Sequence, residues 1–191
     1  MAPHILARWL ALVGALLLAF LGTVTTLNLT VYSASGFVSS YLDAVAQHDV
    51  DGARRMPGVS ASTTGTDELL VPAALASLAD IHLVTDTDDG GGRHTVSYGY
   101  RIGSSEGTSS FVVEHTSQRL GVFSAWRFVD SPQSLLSVTV ENGSGVEANG
   151  VALPRVAEGQ AHSYRVLTPS RVVFSHSSTY LNSAKVAMRV D

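Results

Sequence analysis

Residues 9–29 read WLALVGALLLAFLGTVTTLNL and carry no ionisable side chain. An apolar helix of roughly 20 residues is the length that crosses the hydrocarbon core of a bilayer. The residues beyond it are therefore expected to be delivered across a membrane. Arg8 and the amino terminus lie on the short leading side, and positive charge is retained in the cytoplasm. That places residues 1–8 inside, residues 9–31 in the membrane and the chain from residue 32 onward outside. A cleaved secretory signal is the competing reading, with Ser33 and Ser35 as small residues before a cut. Against it, the uncharged run continues past Leu29 to Leu42, and its apolar core exceeds the roughly 7–15 residues of an export signal. A retained, single-pass anchor in the cell membrane is the expectation. Gly14, Gly22, Thr23, Thr25 and Thr26 offer small and hydroxylated positions for helix association in lipid, without the four-residue spacing of glycines that favours it.

Of the 12 Lys and Arg only Arg8 precedes this run, which leaves 11 beyond it against 16 Asp and Glu. The exported part is acidic, so a nucleic-acid or anionic surface-binding role is disfavoured. The chain holds 0 cysteines. A disulfide framework, a thiolate metal site and a cysteine nucleophile are all excluded. Every basic residue but Lys185 is arginine, and with abundant Ala, Val and Gly this resembles the usage of a high-GC bacterium. The sequons at Asn28 and Asn142 would matter only in a eukaryotic secretory route.

After the anchor, Phe37, Val38, Tyr41, Leu42, Val45 and Ala46 recur at i, i+3, i+4 and predict a helix with Ser35 as its N-cap. A short helical stretch over 50–56 ends at Pro57. A third helix is expected over 68–78, with Pro72 in its first turn. The period then changes to two. Strands are expected over 81–87, 93–102, 108–115 and 122–129, with His94, Val96, Tyr98, Tyr100 and Ile102 on one buried face. Ser131-Pro132 marks a boundary. Beyond it 135–140, 164–167, 171–175 and 180–190 alternate around turn signals at Asn142-Gly143, Asn149-Gly150 and Thr168-Pro169-Ser170. Residues 135–191 thus read as a small all-β, sandwich-like module of about five strands.

The segment FVSSYLDAVAQHDVDGARRM followed by four antiparallel strands ending in SAWRFVDSP resembles the NTF2-like (cystatin-like) α+β fold, in the exported form that bacteria attach to membrane anchors. The resemblance covers residues 35–131 and implies helices packed on a curved antiparallel sheet that encloses a pocket. The tail, SVTVENG and SYRVLTPSRVVFSHSSTYL, resembles small β modules of bacterial envelope proteins, with Thr168-Pro169-Ser170 where a Pro-Gly turn is usual. The fold class is accordingly α+β.

Gly103-Ser104-Ser105-Glu106-Gly107 matches the G-x-S-x-G string of a hydrolase elbow, but an elbow needs strand, turn, then helix, and strands flank it on both sides. Asp86, Asp88 and Asp89 precede three glycines, yet Gly90 stands where a calcium loop requires an oxygen ligand. The histidines show no paired metal spacing, and no metal or cofactor is expected. An acid–base pair of His94 with Glu114 or Asp130 is conceivable in an NTF2-like cone, some members of which are isomerases. No residue of those enzymes carries over. The aromatic set Tyr98, Tyr100, Trp126 and Phe128 either fills a core or lines a ligand pocket.

These readings converge on a non-enzymatic interaction or scaffold module of the cell envelope, held to the membrane by its helix and offered to an envelope protein partner. The alternatives are a binding module for a small apolar or amphiphilic ligand on Tyr98, Tyr100, Trp126 and Phe128, and an isomerase-type pocket enzyme.

Overall fold

The apolar run forms one 27-residue helix, α1 (Pro3–Leu29), in a computed structural model that describes residues 3–60, 64–75, 77–119, 121–140, 146–154, 159–176 and 184–190. Its side chains stand in the open, with Leu16 69% and Leu18 73% exposed. The hydroxyls of Thr23, Thr26 and Thr30 donate to the carbonyls of Ala19, Gly22 and Thr26, each at 2.9 Å. A hydroxyl bonded back by four residues is satisfied within its own helix and needs neither water nor a neighbouring helix.

The amphipathic stripe folds as α2 (Ala34–Ala46), which buries Val38, Tyr41, Leu42 and Val45. It starts two residues earlier than expected. Ser33 rather than Ser35 is the cap, because Ser33 has the extended backbone a cap requires and its Oγ accepts from the Gly36 N–H at 3.0 Å. The following short helix, α3 (Val50–Arg54), is capped in the same way by Asp49, whose carboxylate accepts from the Gly52 N–H. The helix expected over 68–78 does not form. Pro72 would remove a donor and crowd the carbonyl of Glu68 inside such a helix, and it holds Val71 extended at φ −128 and ψ 149. A single 3₁₀ turn, Pro72–Ala74, is all that remains, and the chain re-enters a strand at Leu78.

Four strands, β1 (Leu78–Gly90), β2 (Arg93–Ile102), β3 (Ser105–Arg119) and β4 (Phe123–Phe128), pair antiparallel in chain order. Val96, Tyr98, Tyr100 and Ile102 of β2 lie buried on one face, as the period of two requires. Together with Phe111, Val113 and Phe128 they receive the stripe of α2 to make the first core. Gly103-Ser104 is a turn between β2 and β3, so the G-x-S-x-G string is a hairpin and not an elbow.

The remainder contains β5 (Gln133–Thr139), β6 (Val146–Ala148), β7 (Val151–Ala152), β8 (Ala161–Leu167), β9 (Ser170–His176) and β10 (Ala184–Val190). They form a sheet of order β10-β9-β6-β7 and a β5-β8 pair. The sequence period showed four strands here, and about five were expected; β6 and β7 are too short to display a period. Asn149 and Gly150, at φ 49 and 81, supply the left-handed pair that a two-residue hairpin demands. The turn expected at Asn142-Gly143, and residues 180–183 of the last expected strand, lie outside the described residues.

Residues of the connecting stretch 64–75 divide between two cores. Leu70 and Leu75 pack into the first, whereas Leu69 and Ala74 pack with Leu136, Tyr164, Val166 and Val172 in the second. Thr66 adds a strand-like bridge to β8, its N–H donating to the Ser163 carbonyl and its carbonyl accepting from the Arg165 N–H, both at 2.9 Å. Arg165 and Asp67 pair at 2.6 Å. At the centre, the buried Tyr41 hydroxyl lies 3.0 Å from the Pro132 carbonyl and 2.8 Å from that of Thr168. One helix of the first core is thereby bonded to the backbone that leads into and out of the second.

Burial pushes the Tyr41 phenol far above its ordinary value of 10.0. The fold therefore keeps a proton that the unfolded chain releases, and stability is full below pH ~10 and falls above it by about 1.4 kcal/mol per pH unit. Tyr41→Phe removes this donor from the Thr168 carbonyl, while the Pro132 carbonyl still accepts from the Thr168 N–H at 3.0 Å. It is expected to cost about 1–3 kcal/mol at neutral pH and to flatten part of the alkaline decline, as read by urea unfolding of the full chain in detergent across this range.

Candidate functional site

The last turn of α1 does not trail freely from the sheet. Asn28, the one amide in the apolar run, donates from Nδ2 to the Val122 carbonyl at 2.7 Å and accepts on Oδ1 from the Ser124 N–H at 2.9 Å. A primary amide laid along an edge strand in this way mimics a peptide group and satisfies both partners. Tyr32 continues the seam. Its ring stacks on Phe123 at 4.5 Å, and its carbonyl accepts from the Trp126 indole N–H at 2.8 Å. Gly36 closes the junction, since a Cβ there would collide with the carbonyls of Thr30 and Val31.

A cavity of about 350 Å³ opens beside this seam, between the α1–α2 link, α2, α3 and β4. Tyr32, Phe37, Met56 and Trp126 give it apolar walls, and Ser40, Arg55 and Ser124 are its polar members. Arg55 donates from Nε to the Asp51 carbonyl at 3.0 Å and, among the described residues, forms no ion pair. Its neighbour Arg54 differs, facing Asp67 at 3.4 Å.

The four aromatic residues singled out in the sequence separate into two environments. Tyr98, Tyr100 and Phe128 are 6%, 2% and 1% exposed and belong to the first core. Their polar ends are satisfied, the Tyr98 hydroxyl by the Ser35 carbonyl at 3.0 Å and that of Tyr100 by Ser109 Oγ at 2.9 Å. Burial raises the Tyr98 pKa; Ser39 opposes this, and the charges of Asp43 and Asp86 add to it. Trp126 alone is half-buried and lines the cavity. Its far side meets two imidazoles edge-on, His94 at 5.1 Å and His115 at 5.5 Å.

His94 pairs with neither Glu114 nor Asp130. Its Nδ1 lies 2.7 Å from Asp86 Oδ1, because the β1–β2 register sets Asp86 one step along the same face. Glu114 is engaged on the opposite face by Arg127 and, at 3.7 Å, by Arg93. The Asp86 carboxylate orients the imidazole toward Trp126, which is a positioning role for the ring. The other two aspartates of the turn are also occupied: Asp88 accepts from the Gly90 N–H at 2.8 Å and Asp89 from the Thr95 hydroxyl at 2.6 Å. Among the described residues no three His, Asp or Glu side chains converge as a metal site would require.

Asn28, Tyr32 and Arg55 were not singled out as site residues in the sequence. Asn28 had a signal, being a lone amide at the end of an uncharged apolar helix. Arg55 had none, since adjacent arginines on a short helix read as a solvated face.

The chain is α+β, with antiparallel sheets and, among the described residues, a single helix, the amino-terminal Ala7–Leu29, long and apolar enough to cross a membrane. No known family, curated protein or solved structure matches it.

Since each aspartate of the β1–β2 turn already has its partner, added calcium is expected to leave the thermal midpoint of the protein unchanged. A rise of several degrees that a chelator reverses would contradict this assignment.

Proposed function

We propose that this is a single-pass envelope protein, anchored with residues 1–8 inside and its folded part outside, that works without catalysis as an interaction or scaffold module. Residues 35–131 are its NTF2-like unit and 135–191 its β unit. The observation that carries the reading is α1 itself. Ala7–Leu29 is long and apolar enough to cross a membrane, and its large apolar side chains stand exposed. Such a surface is untenable in water, and 23 residues at about 1.5 Å each extend beyond a hydrocarbon core of about 30 Å. The threonine hydroxyls bonded within α1 suit the same surroundings, where each unsatisfied polar group costs several kcal/mol.

The seam to β4 supports retention over cleavage. A cut near Ser33 or Ser35 would remove Asn28 and Tyr32 and strip β4 of both its amide partner and its stacked ring. An acidic exported surface and the arginine-rich composition agree with a bacterial envelope protein that meets protein partners in preference to nucleic acid. The second reading, a binding module for a small amphiphile, is favoured by the cavity at Trp126.

The chain has no cysteine, so a single introduced thiol reports topology without background. Ser137→Cys, at an exposed position of β5, is expected to react with a membrane-impermeant maleimide on intact cells, in a protein whose mass includes residues 9–31 and which stays with the membrane fraction. Labelling only after lysis, or a released protein lacking those residues, would refute the anchored topology.

A further inference from the structure

We propose that the cavity beside Trp126 takes an anionic amphiphile from the outer leaflet, with its acyl chain against Phe37, Met56 and Trp126 and its headgroup at Arg55. The inference rests on α1 being retained in the membrane, and it gives the second reading above a ligand class and a source. Depth is the first argument. Tyr32, part of the cavity wall, follows the end of α1 by three residues, about 5 Å at a helical rise. The headgroup layer extends roughly 5–8 Å beyond the hydrocarbon on each side. The wall of the cavity therefore stands among lipid headgroups, and the indole of Trp126 sits where amphipathic rings concentrate at membrane interfaces.

Chemistry is the second argument. A cavity of about 350 Å³ falls within the range of roughly 300–1,000 Å³ typical of small-molecule sites, and its apolar walls with few polar groups follow the same pattern. Arg55 is the cation on this wall, and its guanidinium makes no ion pair among the described residues. A guanidinium suits phosphate and carboxylate headgroups through paired N–H donors. The long-range field is unhelpful to an anion, because the chain carries a formal net charge of −4. Recognition must then be local and must include the chain. One arginine open to water holds a free anion weakly, whereas burying methylene groups adds about 0.8 kcal/mol each.

The test uses the full-length protein with Trp9→Phe, which leaves Trp126 as the sole tryptophan of the original two. The protein is reconstituted into vesicles containing phosphatidylglycerol or phosphatidylcholine brominated on the acyl chains, and Trp126 emission is read. Brominated phosphatidylglycerol is expected to remove half or more of the emission and brominated phosphatidylcholine less. Arg55→Ala should erase that preference. Ser40→Leu, at an exposed position on α2, fills the cavity without touching the core and should restore emission while the protein still floats with the vesicles.

Undiminished quenching in Ser40→Leu would mean that Trp126 merely lies near the interface, and would overturn the proposal. So would a vesicle-bound protein whose Trp126 is never quenched, and so would displacement of the lipid by inorganic phosphate, which would assign the site to free anions. A protein that does not float at all would overturn the anchor and this inference together.

Discussion

The amide of Asn28 holds the folded part of the chain to its apolar helix. It occupies two backbone groups at the start of β4 at once, the carbonyl of Val122 just before the strand and the Ser124 N–H within it, and the ring and carbonyl of Tyr32 repeat the attachment one turn further along. Net contributions of about 0.5–1.5 kcal/mol per hydrogen bond are modest one by one. Set within a few residues, they replace a swivelling linker with a seam. The orientation of the sheet relative to α1, and hence to any bilayer around α1, follows from that seam, as does the position of the cavity beside it.

The same economy of connection recurs between the two cores. Tyr41 belongs to the stripe that fills the first core, yet its hydroxyl reaches the carbonyls of Pro132 and Thr168. Leu69 and Leu70, adjacent in sequence, enter different cores. Asn149 completes its hairpin and also bonds β9, its Oδ1 accepting from the Val173 N–H at 2.8 Å, while its Nδ2 donates to the Ala74 carbonyl. With no disulfide possible, these polar ties through the connecting stretch stand in for covalent ones.

The elements with a clean period were legible in the sequence. The α2 stripe and the alternation of β2 are each enforced by one buried face, and both appear where expected. The third helix was expected on the ground that Pro72 fits a first turn, whereas Pro72 stands four residues beyond Glu68, a depth at which a proline forbids the helix. Strands β6 and β7 lack the length for any pattern. The candidate site was only partly legible. Three of the four aromatic residues fill the core, as alternating positions on a covered sheet face will. The partner of His94 depended on the β1–β2 register, which an irregularity between Asp88 and Gly90 shifts beside the turn and the sequence alone does not specify. Arg55 and Tyr32 acquire meaning only when α3 and the α1–α2 link are folded against β4.

The central claim is that α1 and the sheet move as one body, and distances across the seam test it most directly. Gly14→Cys, at a position with open space around it, and Thr108→Cys, exposed on β3, give a spin-label pair for pulsed electron resonance on the full chain in lipid nanodiscs. The account predicts a single narrow distance distribution that broadens when Asn28→Ala is introduced. A distribution already broad in the parent protein, or one indifferent to the loss of Asn28, would contradict it.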